Sequence, residues 1–265
     1  MVLDAGEFTM GSPAAPYAEP GRATEETQHR VHIGRRFAIA AANVTKAQYR
    51  VFQEAAHAFN LTDNDAQKEF VRTDDSPETG MTWYEAAQYC NWLSKQEGLE
   101  ECYEPNEKGE YAEGMKAKDK YLELSGYRLP TEAEWEFACR ARTVTSRYYG
   151  QSEPLLGNYA WYLSNSENHT WPVASVKPND FGLFDMLGNA WQWCDDAYDI
   201  YPNGAGEVSE DSGSTKPVMD RNSRVLRGGS FRYDAPDMRS AYRRYRVPTD
   251  RGPYYGFRPV RTCPN

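Results

Sequence analysis

The second half of this 265-residue chain lacks long runs of helical or strand periodicity, although it is dense in aromatic residues. After residue 144 the sequence predicts short strands joined by long loops, without the strand–helix alternation that builds a parallel sheet. The whole chain holds 7 Trp, 19 Tyr and 10 Phe together with 20 Gly and 16 Pro. This composition is typical of turns and loops that large rings hold in place. We therefore predict an α+β fold with little regular secondary structure.

Capping boxes predict where helices begin in the first half of the chain. Thr131 is followed three residues later by Glu134, so that each side chain can satisfy a backbone N–H group of the other. Thr45 and Gln48 have the same spacing. Because apolar residues recur at helical spacing after these starts and in one further stretch, the sequence predicts three helices, near residues 46–56, 83–97 and 132–141.

Two polar stretches are predicted to lie outside the core. Residues 100–124 are charged and indicate an insertion or a mobile loop. Residues 202–219 are rich in Gly, Ser and acidic residues, which is typical of an exposed excursion. Because no internal repeat or linker is visible, we predict that residues 1–265 form a single domain.

Charge is distributed unevenly along the chain. The formal net charge is −9, which argues against general nucleic-acid binding. Residues 221–261 nevertheless hold eleven Arg, no Lys and three Asp, a local balance of +8 that leaves −17 for the rest of the chain. An arginine-rich end on an acidic body should steer anionic partners towards that end.

The sequence shows no signal for a membrane or a secretory route. No stretch has the roughly 18 apolar residues that a membrane helix needs, and the first residues lack the basic and apolar regions of a signal peptide. The cysteine number is odd and the spacings are wide, so neither a disulfide framework nor a zinc site is predicted. We expect a cytoplasmic protein with reduced thiols at Cys90, Cys102, Cys139, Cys194 and Cys263.

Seven segments of the chain resemble the formylglycine-generating enzyme, or sulfatase-modifying factor, family. Each segment is short, but they occur in the family's order and cover nearly the whole chain, so the set is specific. The segments are Gly6–Gly11, Asn43–Tyr49, Met81–Ala87, Arg128–Trp135, Gly182–Trp191, Arg227–Phe231 and Gly256–Arg258.

The resemblance implies a C-type-lectin-like fold with flanking helices, a small twisted sheet and a loop-rich ligand face. Fold does not determine activity in this family, which includes oxidases, sulfoxide synthases, sensor domains fused to kinases, and receptors diversified by retroelements. In the diversified members the variable residues lie between the Gly-Gly-Ser-Phe motif and the terminal Gly-Phe-Arg motif. The corresponding variable or ligand-binding segment here is 228–258.

Catalytic members of the family resemble copper-thiolate oxidases. They hold two cysteines shortly after the Arg-Gly-Gly-Ser motif, because soft Cu(I) prefers thiolate ligands. The matching positions here hold Tyr233 and Met238, and neither forms a thiolate. We therefore expect no copper and no formylglycine-generating activity. The alternative is a metal-dependent oxidase of the family with an atypical active site.

Family members often bind a structural Ca²⁺ ion in the segment that matches residues 185–192. The resemblance implies ligands from the side-chain oxygens of Asp185 and Gln192 and from the backbone carbonyls of Gly188 and Ala190, since calcium prefers oxygen ligands. The family usually has Glu where Gln192 stands. The alternative is a tight turn, anchored by aromatic residues, that holds no ion.

The C-terminal segment combines Tyr and Arg, two residue types that often carry interface hot spots. Arg227, Arg239, Arg243 and Arg258 lie at recurrent family positions, and we expect them to be structural. Except for Arg251, for which we predict no orientation, the residues that we predict to bind the ligand should face outward. They are Arg232, Tyr233, Arg244, Tyr245, Arg246, Arg251, Tyr254 and Tyr255.

These features together predict a non-catalytic domain that binds a protein or an acidic ligand through its C-terminal face. Two versions of this function are open. The first is a variable protein diversified by a retroelement. The second is a fixed ligand-recognition or sensor domain, of the kind found beside bacterial kinases.

Overall fold

The computed structural model describes residues 1–56, 69–201 and 207–264. Three α-helices lie in these ranges and confirm the three predicted helices. Each begins at a threonine N-cap with a complete capping box, including one at Thr82 that the sequence analysis did not identify. Within the same ranges no helix is both long and apolar enough to cross a membrane. The helices are α1 (Lys46–Ala55), α2 (Trp83–Gln96) and α3 (Glu132–Arg140).

The strands are short and form several small sheets, which confirms the predicted α+β class with little regular structure. In the described ranges the sheet orders are β1-β4-β13-β7, β11-β10-β8-β12, β2-β3-β9 and β5-β6. The strands are β1 (Val2–Leu3), β2 (Gly6–Met10), β3 (His29–Ile33), β4 (Phe37–Ile39), β5 (Tyr103–Glu104), β6 (Lys116–Ala117), β7 (Tyr127–Arg128), β8 (Trp191–Ala197), β9 (Val208–Glu210), β10 (Arg224–Arg227), β11 (Arg243–Arg246), β12 (Tyr255–Gly256) and β13 (Val260–Thr262).

The sheet β11-β10-β8-β12 separates two apolar layers. Trp191 and Trp193 on β8 and Leu226 on β10 belong to the layer that also contains α1 and α2. Cys194 and Val225, the neighbours of Trp193 and Leu226 along these strands, belong to the layer built around α3. Successive side chains of a strand point to opposite faces, so both faces of this sheet are covered, as its continuously buried strands require.

Helix α3 holds the strands of that sheet in place through buried ion pairs. Glu132 accepts hydrogen bonds from Nε and one terminal nitrogen of Arg243 on β11, at 2.6 and 2.8 Å. One turn further along the helix, Glu136 pairs with Arg227 on β10. Because both ion pairs are buried, they restrict the positions of β10 and β11 relative to α3.

The other two arginines that we expected to be structural are also buried. Arg239 pairs with Glu26 at 2.6 Å and with Glu19 at 3.0 Å. Arg258 donates to neutral oxygens, among them the carbonyl of Phe184 at 2.7 Å. All four arginines of this predicted group therefore stabilise the fold.

Parts of the polar stretch 100–124 are packed into the core, which corrects the prediction of a mobile loop; that the stretch is an insertion stays a prediction. Tyr103 and Tyr121 are 1% exposed, and their hydroxyls donate to the carboxylate of Asp195 at 2.8 and 2.6 Å. The stretch 202–219 is also partly packed, because β9 pairs in parallel with β3. Residues 202–206 of that predicted excursion lie outside the described residues.

Candidate ligand-binding face

Aromatic side chains from separate parts of the chain meet around Trp191. Tyr233 packs edge-on to the indole with 5.1 Å between ring centroids, and Tyr242 packs against it at 5.8 Å. Tyr254 stands edge-on to Tyr233 at 5.9 Å and to Tyr255 at 5.0 Å. Trp191 is fully buried, whereas Tyr233, Tyr242 and Tyr254 are half-buried. We call these five residues the aromatic cluster.

Strand register explains how the cluster is assembled. Trp191 lies opposite Tyr255 in the parallel pairing of β8 with β12. Leu226 lies between Trp193 on one side and Arg244 on the other. Directly paired residues project from the same face of a sheet, and so do residues two apart on one strand. Arg244 at the edge strand therefore shares a face with Trp191.

Tyr233, Tyr242 and Tyr255 keep their hydroxyl protons at neutral pH. Burial raises the pKa of Tyr233, although the nearby Arg244 guanidinium opposes this shift. Burial also raises the pKa values of Tyr242 and Tyr255 to about 12. Each hydroxyl is therefore both a hydrogen-bond donor and an acceptor.

Arg244 places a positive charge against the cluster. Its guanidinium carbon lies 5.1 Å from the centroid of the Tyr233 ring, a cation–π distance. Among the described residues, no carboxylate lies within ion-pair distance of Arg244. Its chain neighbour Arg243 points to the other face of the sheet and is neutralised there by Glu132.

Two further predicted residues are exposed at the margin of this region. Arg232 is exposed; its Nε donates to Oδ1 of Asn168 at 2.7 Å, and its guanidinium lies 4.5 Å from the ring of Phe70. Tyr245 is 46% exposed on the edge strand β11, but it pairs with Val225 and therefore projects, like Arg243, from the face opposite Arg244, where its ring lies 4.1 Å from that of Tyr198. We define the Arg/Tyr face as the accessible predicted residues around this edge that form no ion pair within the described ranges, namely Arg232, Tyr233, Arg244, Tyr245 and Tyr254.

Three predicted residues are engaged within the protein. Tyr255, expected to face outward, is only 3% exposed because β12 lies against β8 in the sheet. The two terminal nitrogens of Arg251 donate to Glu85 at 2.7 and 2.5 Å. Arg246 donates to the carbonyl oxygen of Tyr245 at 2.9 Å.

Two residues of this region were missed by the sequence prediction. Trp191 ends the family motif 182–191 and alternates with Trp193, and this spacing on a strand signals a shared face. Phe70, which contacts Arg232, lies in a part of the sequence without periodicity and gave no comparable signal.

The predicted calcium segment is held by hydrogen bonds within the protein. One carboxylate oxygen of Asp185 accepts from the N–H of Ala174 at 2.8 Å. The side-chain oxygen of Gln192 accepts from the indole nitrogen of Trp135 at 2.6 Å and from Nε of Arg258 at 2.7 Å. Both lone pairs of the Gln192 oxygen are thus used, which leaves none for an ion.

The other two predicted calcium ligands lie in a tight turn. Gly188 has φ +75°, and a Cβ there would stand 2.3 Å from the carbonyl oxygen of Trp161. The carbonyl of Ala190 accepts from the Asn43 amide at 3.5 Å. Within the described ranges, no group of three or more His, Cys, Asp or Glu side chains has a metal-binding arrangement. Calcium binding through Asp185 and backbone carbonyls stays a prediction.

Comparison with known protein families agrees with this architecture. The model of the sulfatase-modifying factor enzyme 1-like domain matches residues 1–263. The chain belongs to this family. Its formylglycine-generating-enzyme type of fold is confirmed as well, because Treponema denticola variable protein 1 superimposes with a TM-score of 0.78 at 27% identity, over 99% of this chain and 94% of that one.

Two relatives with different names match most of this sulfatase-modifying-factor-like chain. The formylglycine-generating enzyme of Streptomyces coelicolor is 27% identical over 86% of this chain and 77% of that enzyme. The serine/threonine-protein kinase Pkn1 of Chlamydia pneumoniae is 28% identical over 97% of this chain. The chain spans only 23% to 37% of the length of the chlamydial kinases that it matches.

The two positions that hold copper ligands in catalytic members of the family have different surroundings here. Tyr233 is part of the aromatic cluster, whereas Met238 is fully buried in the layer around α3. A Cβ at Gly229 would stand 2.3 Å from Cε of Met238, so the glycine makes room for the methionine side chain. Neither residue can supply a thiolate.

The four buried cysteines lie in unfavourable surroundings for thiolate formation. Burial raises the pKa of Cys102 to about 12 and that of Cys139 to about 11. It also raises the pKa values of Cys90 and Cys194 well above the ordinary value. Buried thiols of this kind are protonated at neutral pH and are poor nucleophiles and metal ligands.

Proposed function

We propose that this domain is a non-catalytic binding module that recognises a protein or an acidic ligand through the Arg/Tyr face. The observation that carries the proposal is the position of Tyr233. Where catalytic relatives place a copper ligand, Tyr233 packs on Trp191 and receives the Arg244 guanidinium against its ring. Rings, hydroxyls and a guanidinium on one surface are the chemistry of interface hot spots.

The distribution of charge supports an acidic partner. Arg227, Arg239 and Arg243 are neutralised by buried glutamates. Among the described residues, Arg232 and Arg244 on the Arg/Tyr face have no carboxylate within ion-pair distance. An uncompensated positive patch on a protein of net charge −9 attracts anionic groups and accelerates their association.

The likeness to a variable protein and to a kinase supports two versions of this function. In the first, segment 228–258 is diversified, as the name of the Treponema denticola protein suggests for that protein. In the second, the domain is a fixed sensor in a larger chain, as the partial match to Pkn1 suggests. Sequencing this gene from many isolates distinguishes the two versions. Diversification would concentrate substitutions on the Arg/Tyr face and leave the structural arginines unchanged, namely Arg227, Arg239, Arg243 and Arg258.

A pull-down with a triple variant tests the binding function. The variant Arg244→Ala/Tyr245→Ala/Tyr254→Ala truncates three of the five residues of the face, and Tyr17→Ala/Val144→Ala changes two residues that are 80% and 84% exposed elsewhere. We expect specific partners to be captured by the wild type and the control but not by the triple variant. Circular dichroism verifies that both variants are folded. If the folded triple variant retains every partner, the binding surface lies elsewhere.

A further inference from the structure

Two buried hydrogen-bond donors beside the Arg/Tyr face have no acceptor. The indole N–H of Trp191, a residue that is 0% exposed, has no hydrogen-bond partner in the part of the chain that is described. Nε of Arg244 is also buried and unpaired there. Buried polar groups in folded proteins nearly always have partners. Nε is also unpaired in the buried residues Arg128, Arg224 and Arg227. The donors of Trp191 and Arg244 differ from these because they lie next to the half-buried Tyr233, where an acceptor from outside can be supplied.

Tyr233 connects these two donors. Its ring centroid lies 5.1 Å from that of Trp191 and 5.1 Å from the guanidinium carbon of Arg244. Its hydroxyl interacts with that of Tyr254, and both tyrosines are half-buried. Tyr233 lies outside the strands, so its side chain can turn without breaking strand pairing.

The missing acceptor has a defined chemistry. Among the described residues Arg244 has no carboxylate within ion-pair distance, whereas Arg246 lies 3.7 Å from Asp250 and Arg251 is paired with Glu85. Asp237 acts on Arg244 only from beyond that distance, and the hydroxyl of Tyr242 contacts the guanidinium. One available guanidinium matches one negative charge. A carboxylate supplies that charge and has two oxygens, so it can accept from both donors at once. A neutral carbonyl lacks the charge, and a phosphate dianion carries more charge than the site offers.

We infer that the Arg/Tyr face takes the side-chain carboxylate of an aspartate or glutamate on a protein partner. This inference rests on the proposed binding function. One carboxylate oxygen accepts from Arg244, and the other accepts from the indole N–H of Trp191 after Tyr233 turns aside.

Nuclear magnetic resonance of the indole N–H groups tests this inference directly. The Trp191 signal is identified in ¹⁵N-labelled protein by its absence from Trp191→Phe, or, if that variant does not fold, through the backbone assignment of β8 in the wild type. The probe is N-acetyl-glutamate methylamide, and the matched control compound is N-acetyl-glutamine methylamide. We expect the Trp191 signal to move saturably with the glutamate probe and not with the glutamine compound.

Two variants complete the experiment. Arg244→Gln should weaken the glutamate titration roughly tenfold, since it removes a charge-assisted hydrogen bond. Arg30→Gln should leave it unchanged, because Arg30 lies outside the Arg/Tyr face in an exposed pair with Glu7. A titration that Arg244→Gln does not alter, an equal response to glutamine, or no movement of the Trp191 signal overturns the carboxylate assignment. The proposed binding function is rejected by a different result, namely the retention of every partner by the folded triple variant in the pull-down.

Discussion

The ring of Tyr233 stands edge-on to the indole of Trp191, with centroids 5.1 Å apart and an interplanar angle of 89°. Edge-to-face contacts of this kind are favourable because the positive ring edge meets the negative ring face. The contact fills a position that holds a copper ligand in catalytic relatives. It joins the loop after β10 to the buried base of the aromatic cluster, so that this position is part of the Arg/Tyr face.

We predict that the protein does not convert cysteine to formylglycine. Tyr233 and Met238 replace the two copper thiolates, and burial keeps Cys102 and Cys139 protonated. The copper-treated protein is incubated with a cysteine-containing sulfatase-motif peptide, and the mass of the peptide is then measured by mass spectrometry. Conversion above that of a buffer control would contradict the prediction and favour an oxidase with an atypical active site.

Truncation of the exposed tyrosines should weaken binding more than stability. We expect Tyr245→Ala or Tyr254→Ala to cost roughly 1–4 kcal/mol of binding free energy if the residue is a hot spot. Tyr245 is 46% exposed, so Tyr245→Ala should change the free energy of unfolding by less than about 0.5 kcal/mol. Calorimetry with a captured partner and thermal unfolding measure the two quantities, and Tyr17→Ala is the matched exposed control. If both alanine variants bind the partner as tightly as the wild type does, neither tyrosine belongs to the binding site.

Charge reversal at Arg244 should slow association with an acidic partner. Arg244→Glu replaces an uncompensated positive charge on the Arg/Tyr face, whereas Lys108→Glu makes the same charge change on an exposed loop. Stopped-flow association rates should fall for the first variant and stay near wild type for the second. The difference should shrink with added salt, because charges are screened over about 10 Å at 0.1 M ionic strength. If added salt does not change the effect of Arg244→Glu on the association rate, the cause is lost packing and not the changed charge.

The ion pairs of Glu134 at the start of α3 should make the free energy of unfolding depend on pH in the acidic range. Burial alone would raise the pKa of Glu134, but Arg128 and Arg35 lower it from 4.5 to about 2. The unfolded chain therefore takes up this proton first as pH falls, and the stabilisation is lost between pH 4.5 and about 2.

Glu134→Gln should flatten this pH dependence. At neutral pH it should cost about 3–5 kcal/mol of unfolding free energy, since it leaves Arg128 without its buried partner. Denaturant unfolding at a series of pH values compares it with Glu7→Gln, which removes one member of an exposed pair with Arg30. The same acid dependence in Glu134→Gln as in wild type would show that other carboxyl groups control it.

Calcium is predicted to stabilise segment 185–192 through Asp185. A ligand that binds the folded state alone stabilises it by a free energy that grows with the logarithm of the ligand concentration above the dissociation constant, and so raises the unfolding temperature. We expect calcium to raise the unfolding temperature of the wild type, a chelator to reverse the increase, and Asp185→Asn to abolish it. No response in the wild type, or an equal response in the variant, rejects the site.

Features that depend on residues close together in the sequence were predictable from the sequence. The capping boxes at Thr45 and Thr131 join residues three apart, so they identify helix starts without knowledge of the fold. The structural role of Arg243 was predictable from its family position, although its partner Glu132 is 111 residues away. The loss of the copper thiolates is visible at Tyr233 and Met238 because the Arg-Gly-Gly-Ser motif lies directly before them.

The composition of the face was decided by tertiary structure alone. Tyr255 and Tyr254 are adjacent and chemically identical, yet pairing of β12 with β8 buries only Tyr255. Arg251 is neutralised by Glu85, which lies 166 residues earlier, whereas Arg244 has no such partner among the described residues. Exposure and charge compensation arise from contacts between distant segments, so residue type and spacing determine which groups are present, and strand pairing determines which of them reach a ligand.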